Sequence, residues 1–269
     1  MLHRVGLLQL LGLCSVLLIG GCADMVSDSK TPRNTGLRNY NQGNYADAAG
    51  AFRNAVRNDP RDYKAYYYLG ASYEQMGSYQ QSIQSYESAL DVMKTSLAGR
   101  EDLAFRQEIL NGLASALAKG DPANLDQLAP PGSTPTAEKS FLVAKIHRHL
   151  KDLDSALEAY RYASLRDPNS FFIAREYGLY LEQLGMIPQA KTELKRAYAL
   201  NTKDAEVDSA LRRLGVVPGP SLKRSVDMAQ PPVPHGPIPE MDWKKFRFKS
   251  ASRTPEPVTA SESIESPRD

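Results

Sequence analysis

The chain has 269 residues, 42% of them apolar, and a formal net charge of +2. That length supports one or two packed domains, and so small a charge leaves no electrostatic footprint for nucleic acid or another polyanion. Its two cysteines, Cys14 and Cys22, both lie at the start. The rest of the chain therefore has no disulfide and is held by packing alone.

The first residues differ in character from the remainder of the chain. His3 and Arg4 form a short polar start, and Val5 to Ile19 is an apolar run shorter than the ~20 residues of a comfortable membrane span. It ends in Leu18-Ile19-Gly20-Gly21-Cys22. An apolar run and a small pair directly before a cysteine resemble a bacterial lipobox. The resemblance implies a signal peptide over 1–21, cleavage before Cys22, and lipidation (palmitate included) of Cys22. Ala23, rather than Asp, follows the cysteine, which by the same resemblance favours the outer membrane, facing the periplasm. Each buried CH₂ contributes about 0.8 kcal/mol, so several acyl chains would anchor the protein firmly. Residues 22–32 are expected to form a polar tether.

From about residue 33 the apolar residues recur at helical spacing, and the pattern itself repeats. The best-formed stretch is Tyr66-Tyr67-Tyr68-Leu69-Gly70-Ala71-Ser72-Tyr73, then Gly77, Tyr79, Ser82, Ile83, Tyr86, Ala89 and Leu90. It describes two amphipathic helices joined at Gly77, with small residues where the helices approach and bulky ones filling the gaps. Gly43, Tyr45, Ala48, Phe52 and Ala55 repeat its second half at a spacing of 34 residues from Gly43 to Gly77. The same period returns from Ala156 to Ala190. These motifs resemble the tetratricopeptide repeat (TPR), a 34-residue helix-turn-helix unit.

The resemblance implies an all-α solenoid of four good copies and one degenerate copy. Expected boundaries are 33–96 for an N-terminal pair, 97–136 for the degenerate repeat with a proline-rich loop, and 137–215 for a C-terminal pair plus closing helix. Gly77 to Gly120 spans 43 residues, so the period is expected to slip by nine there. Residues 216–269 hold ten of the eighteen prolines and are expected to be a disordered Pro/Ser-rich tail, unable to offset its ordering entropy. One island in it, Trp243-Lys244-Lys245-Phe246-Arg247-Phe248-Lys249, combines aromatic anchors with cations. It suits docking on a partner protein, on an anionic membrane surface, or on this protein's own groove.

No pattern for catalysis stands out. There is no GxSxG, HExxH, CxxC or phosphate-binding glycine loop. His147 and His149 are two residues apart on one helix and point about 200° apart, so they cannot share a metal. His147 fits a packed core position. The chain is therefore read as a non-enzyme with no cofactor, no metal, and no small-molecule or nucleic-acid partner. A repeat array offers a concave groove lined by the first helix of each hairpin. Matching faces across repeats selects Tyr40, Lys64, Tyr67, Glu74, Lys145, Arg148, Arg175, Leu179 and Glu182 as groove residues. Some TPR relatives bind a C-terminal carboxylate through fixed Lys and Asn positions, but Leu37 and Ala71 stand where such asparagines would be expected here. The family resemblance implies a lipid-anchored scaffold for protein partners in assembly of a pilus or secretion machine, similar to tight-adherence pilus lipoproteins. An adaptor for cell-wall enzymes is the alternative.

Overall fold

The computed structural model describes residues 30–96, 99, 101–120 and 135–223. Cys22, the signal segment and the Trp243–Lys249 island lie outside these residues. The principal helices are α1 (Lys30–Asn41), α2 (Tyr45–Asn58), α3 (Tyr63–Gln75), α4 (Tyr79–Thr95), α5 (Leu103–Gly120), α6 (Ala137–His149), α7 (Leu153–Arg166), α8 (Phe171–Gln183), α9 (Ile187–Leu200) and α10 (Ala205–Arg213). They form two compact units dividing after Leu103. In the first, α1 pairs with α2 and α3 with α4, and α2 packs on α3. In the second, α6 pairs with α7 and α8 with α9, and α10 closes the stack against α9. This is the expected all-α arrangement of helix-turn-helix repeats.

The sequence explains the close approach within each hairpin. Gly36, Gly70 and Gly178 occupy one position of the repeat, and Phe52, Tyr86 and Leu194 occupy another, sixteen residues later. A Cβ added at Gly36 would meet the Phe52 ring at 2.7 Å, at Gly70 the Tyr86 ring at 2.9 Å, and at Gly178 Leu194 at 2.7 Å. In the remaining full hairpin Ala144 and Tyr160 hold the two positions, both fully buried. A large side chain of the second helix thus lies across a small residue of the first. Burying each such side chain contributes about 1.5–3 kcal/mol.

Turns obey the same period. Gly43, Gly77 and Gly185 have φ of +79°, +72° and +73°, the left-handed cap that ends a helix. At each, the next residue's N–H donates back into the first helix, as Ser78 N–H does to the Tyr73 carbonyl at 2.9 Å. The α6–α7 hairpin makes the same turn with Lys151 at φ 61°, a conformation that costs a side-chain-bearing residue roughly 1–2 kcal/mol.

Three boundaries differ from expectation. Helix α1 starts at Lys30, inside the expected tether, because Pro32 falls in the first turn where no N–H is needed. The period does not slip at Gly120: α5, α6, α8 and α10 begin at residues 103, 137, 171 and 205, each 34 apart. The six extra residues lie before α5, where α4 runs on to Thr95, past the place at which Pro60 ends the equivalent α2. Thirdly, residues 216–223 are not free tail, since Val216 and Leu222 pack on the core formed by Leu194, Tyr198, Val207 and Leu211.

Glycine normally weakens a helix interior by about 0.5–1 kcal/mol relative to alanine. At Gly50, with nothing near its absent Cβ, substitution by alanine is expected to stabilise unit 1 by about that amount. Gly70→Ala should do the reverse and cost about 1–3 kcal/mol, because Tyr86 must move. Lys151→Gly should stabilise unit 2 by about 0.5–1 kcal/mol. Denaturant titration of the three variants checks the signs.

Candidate functional site

In unit 1 the groove side of α1 and α3 carries tyrosines. Tyr40 meets Tyr68 edge-on at 5.9 Å, and Tyr67 meets Tyr68 at 5.0 Å and Tyr86 at 5.7 Å. Half-buried rings in such contact are rigid anchors with little rotamer entropy to lose on binding. Glu74 accepts a hydrogen bond from the Tyr86 hydroxyl at 3.1 Å. Burial of Tyr86, and then this carboxylate, push its pKa far up. Lys64 is 44% exposed and lies 3.5 Å from Asp102. Asp102 also accepts from Tyr63 at 3.0 Å.

In unit 2 the corresponding face is charged, and its charges are joined from helix to helix. Lys145 Nζ donates to Asn111 of α5 at 2.7 Å and to Glu176 of α8 at 3.2 Å. Glu176 also draws Arg148 to 3.6 Å and Arg175 to 3.4 Å. Arg175 continues to Asp204 at 3.6 Å and Glu206 at 3.0 Å. A second bridge runs from α10 to α8, where Arg213 donates to both carboxylate oxygens of Glu182 at 2.9 and 2.8 Å. Lys145 is only 4% exposed, and burial lowers its pKa, with Glu176 opposing the shift.

The nine expected groove residues therefore divide by role. Tyr40, Tyr67 and Arg148 line the faces with surface to offer; Arg148 is 37% exposed, reaches Gln183 at 3.2 Å and covers the Tyr180 ring. Lys64 sits at the edge of unit 1, and Leu179 packs partly against the α8–α10 core. Glu74 and Glu182 orient neighbouring side chains. Lys145 and Arg175 sit in the interhelix network and not on a solvated groove, because the 34-residue period lays acidic and amide partners beside them.

Sequence reasoning missed Glu176, the hub of this network, and also Asn111, Asp204, Arg213 and Tyr68. Asn111 lies 34 residues before Lys145, so a third repeat in phase would have pointed to it. A second missed pattern concerns helix starts. Asp62 accepts from Ala65 N–H to cap α3 and pairs with Arg33 at 2.8 Å. Asp204 caps α10 through Val207 N–H and pairs with Arg175. Both arginines precede their aspartates by 29 residues and sit at one repeat position. Each ties a helix to the cap of the next repeat.

His147 is a packed residue, as its spacing suggested. It is buried in α6, and its Nδ1 lies 3.1 Å from Asp152, the residue that caps α7 through Ser155 N–H. An ionised carboxylate only accepts, so the imidazole proton is on Nδ1. Burial lowers the His147 pKa more than Asp152 raises it. Among the described residues no three His, Cys, Asp or Glu side chains converge on a metal position, and no helix is long and apolar enough to cross a membrane.

Residues 34–94 match the tetratricopeptide repeat family. The chain is similar to a thermophilic TPR protein of Thermus thermophilus, TTC0263, with 22% identity over 70% of this chain and 81% of that one, at a TM-score of 0.35. It is also similar to YrrB, a TPR protein described as having an unusual peptide-binding site (16% identity, 69% and 92% of the two chains, TM-score 0.34). PilW, described as a type IV pilus biogenesis factor, shows 14% identity over 77% and 93%, at a TM-score of 0.36. No curated protein matches the sequence.

These contacts predict two outcomes. Glu176→Leu leaves a buried ammonium with only Asn111 and the Phe141 ring and should cost about 3 kcal/mol, most of it recovered in Lys145→Met/Glu176→Leu. For His147 the folded pKa is below the unfolded one, so its contribution is complete above about pH 6.5 and is lost as pH falls below that value. Partly buried Glu193 has a raised pKa and acts with the opposite sign. The His147 part is therefore the difference between wild type and His147→Asn, compared by thermal melting at about pH 7.5 and 5.5. The variant should lose less stability on acidification.

Proposed function

We propose that the protein is a lipid-anchored TPR scaffold whose first-helix faces hold protein partners during assembly of an envelope machine, a pilus or a secretion system. The observation that carries this reading is the lining of those faces. In each unit, side chains from successive first helices touch, Tyr40 with Tyr68 in unit 1 and Asn111 with Lys145 and then Glu176 in unit 2, which suits reading an extended segment of another chain. Tyr40, Tyr67 and Tyr68 form an aromatic surface for apolar side chains, and Arg148 supplies a guanidinium for a carboxylate or backbone carbonyl. Binding anchors of these kinds need no catalytic group.

The anchor rests on Leu18-Ile19-Gly20-Gly21-Cys22. Acylation at Cys22 would hold the scaffold at the outer membrane facing the periplasm, with the basic aromatic island at Trp243–Lys249 as a further contact for a partner or membrane.

Photo-crosslinking groups placed at Tyr67, Arg148 and Phe246 in cells, followed by mass spectrometry, test the reading. Pilin, secretin or other machine subunits are expected. Recovery of cell-wall hydrolases or synthases would replace this function with the enzyme-adaptor one, and no adduct from any position would remove the recruitment role. Cys22→Ser should release the protein from membranes; unchanged attachment would sink the anchor.

A further inference from the structure

A cavity of about 240 Å³ opens between α7 and α9, the second helices of two successive hairpins, with Tyr177 and Leu181 of α8 at its base. It lies away from the first-helix face described above. Ligand pockets for drug-sized molecules span about 300–1,000 Å³, so this one takes a group the size of a single amino-acid residue.

Its polar lining is unbalanced. Arg161 and Arg196 face one carboxylate, Glu193, leaving a charge of +1. Arg196 is held in place, donating to Ser164 Oγ at 2.8 Å and lying 2.6 Å from Glu193. Its Nε is nevertheless buried without a hydrogen bond among the described residues, as is Glu193 Oε2, which is unfavourable for the Nε donor unless an acceptor arrives. Arg161 is exposed and forms no ion pair among the described residues. Burial, and then Glu193, push the Tyr177 pKa up to about 12, so its hydroxyl stays a donor at neutral pH. The other side is apolar, formed by Leu165, Pro168 and Leu181.

We propose that this cavity binds a carboxylate carried on a small apolar group, with Arg161 and Arg196 receiving the anion and Leu165, Pro168 and Leu181 the apolar part. A peptide's terminal leucine or a short acyl acid has this chemistry. The titratable and charged groups facing the bound anion are Arg161 from α7, Tyr177 from α8, and Glu193 and Arg196 from α9. Of these Glu193 is the acid whose protonation responds to an added anion. Burial raises its pKa, so anion binding takes up a proton there and tightens as pH falls.

The test is an amide-resolved NMR titration of the mature protein with N-acetyl-L-leucine, its uncharged amide, and inorganic phosphate. N-acetyl-L-leucine should give saturable shifts at Ser164, Leu165 and Thr192, and the amide none. Arg161→Gln, at an exposed position that leaves the fold intact, should weaken binding about tenfold or more. Affinity should be higher at about pH 5.5 than 7.5 and lose that dependence in Glu193→Gln. An equal response to the amide, or no effect of Arg161→Gln, would overturn the site. Phosphate binding as tightly as N-acetyl-L-leucine would overturn the role of the apolar floor.

Discussion

Each full hairpin depends on one steric constraint: a large side chain of the second helix must lie across a small residue of the first. Gly36 under Phe52, Gly70 under Tyr86 and Gly178 under Leu194 leave no room for even a methyl group. Closeness there brings the two backbones together and buries the alanines around them, such as Ala48, Ala89 and Ala197. Interiors are packed at crystal-like density, so with this contact fixed the side chains nearby have little choice of rotamer. Rings placed in this way also set the groove: Tyr67 rests against Tyr86, which itself covers Gly70.

Unit 2 uses the same steric rule but lines the corresponding face with charge. Its first helices carry cations too deep for water to solvate, and the neighbouring repeat supplies their partners. Lys145 is tolerable at 4% exposure because Glu176 and Asn111 both reach it. Glu176 in turn serves three cations, and Arg175 serves three carboxylates. The network rigidifies the face, though Arg175 Nε is buried without a hydrogen bond among the described residues, and single removals leave buried charge behind. Of its cations, Arg148 keeps free side-chain surface at 37% exposure, whereas the exposed Arg213 is engaged by both carboxylate oxygens of Glu182.

Much of the fold was legible because steric and turn requirements are local. Gly43, Gly77 and Gly185 are glycines at the required left-handed φ, and the buried alanines follow at fixed offsets. Lys151 hid one turn by occupying a glycine position. The phase of α5 was obscured by counting to Gly120, which ends a helix and does not make the turn equivalent to Gly77. The candidate faces were less legible. Helical spacing selects which side of a helix Lys145 and Arg175 occupy, but burial and pairing depend on the adjacent helices, and Glu176 gives no local sign of being a hub. The cavity between α7 and α9 has no sequence signature, since Arg161 and Arg196 belong to different hairpins.

The paired caps bear on how such a chain can be rearranged. Asp62 and Asp204 begin one repeat but are fastened by Arg33 and Arg175 of the previous one. The energetic module is therefore offset from the geometric module and straddles the junction between hairpins. Cutting or duplicating the gene between hairpins, ahead of the cap, would separate arginine from aspartate and leave two loose ends. A seam at Gly43 or Gly185 does the same, because each pair spans nearly a whole repeat. The stretch just after each cap aspartate, in the first turn of α3 or α10, lies outside that span. Shuffled or extended arrays should therefore tolerate joints there better than joints at the apparent borders of the repeats.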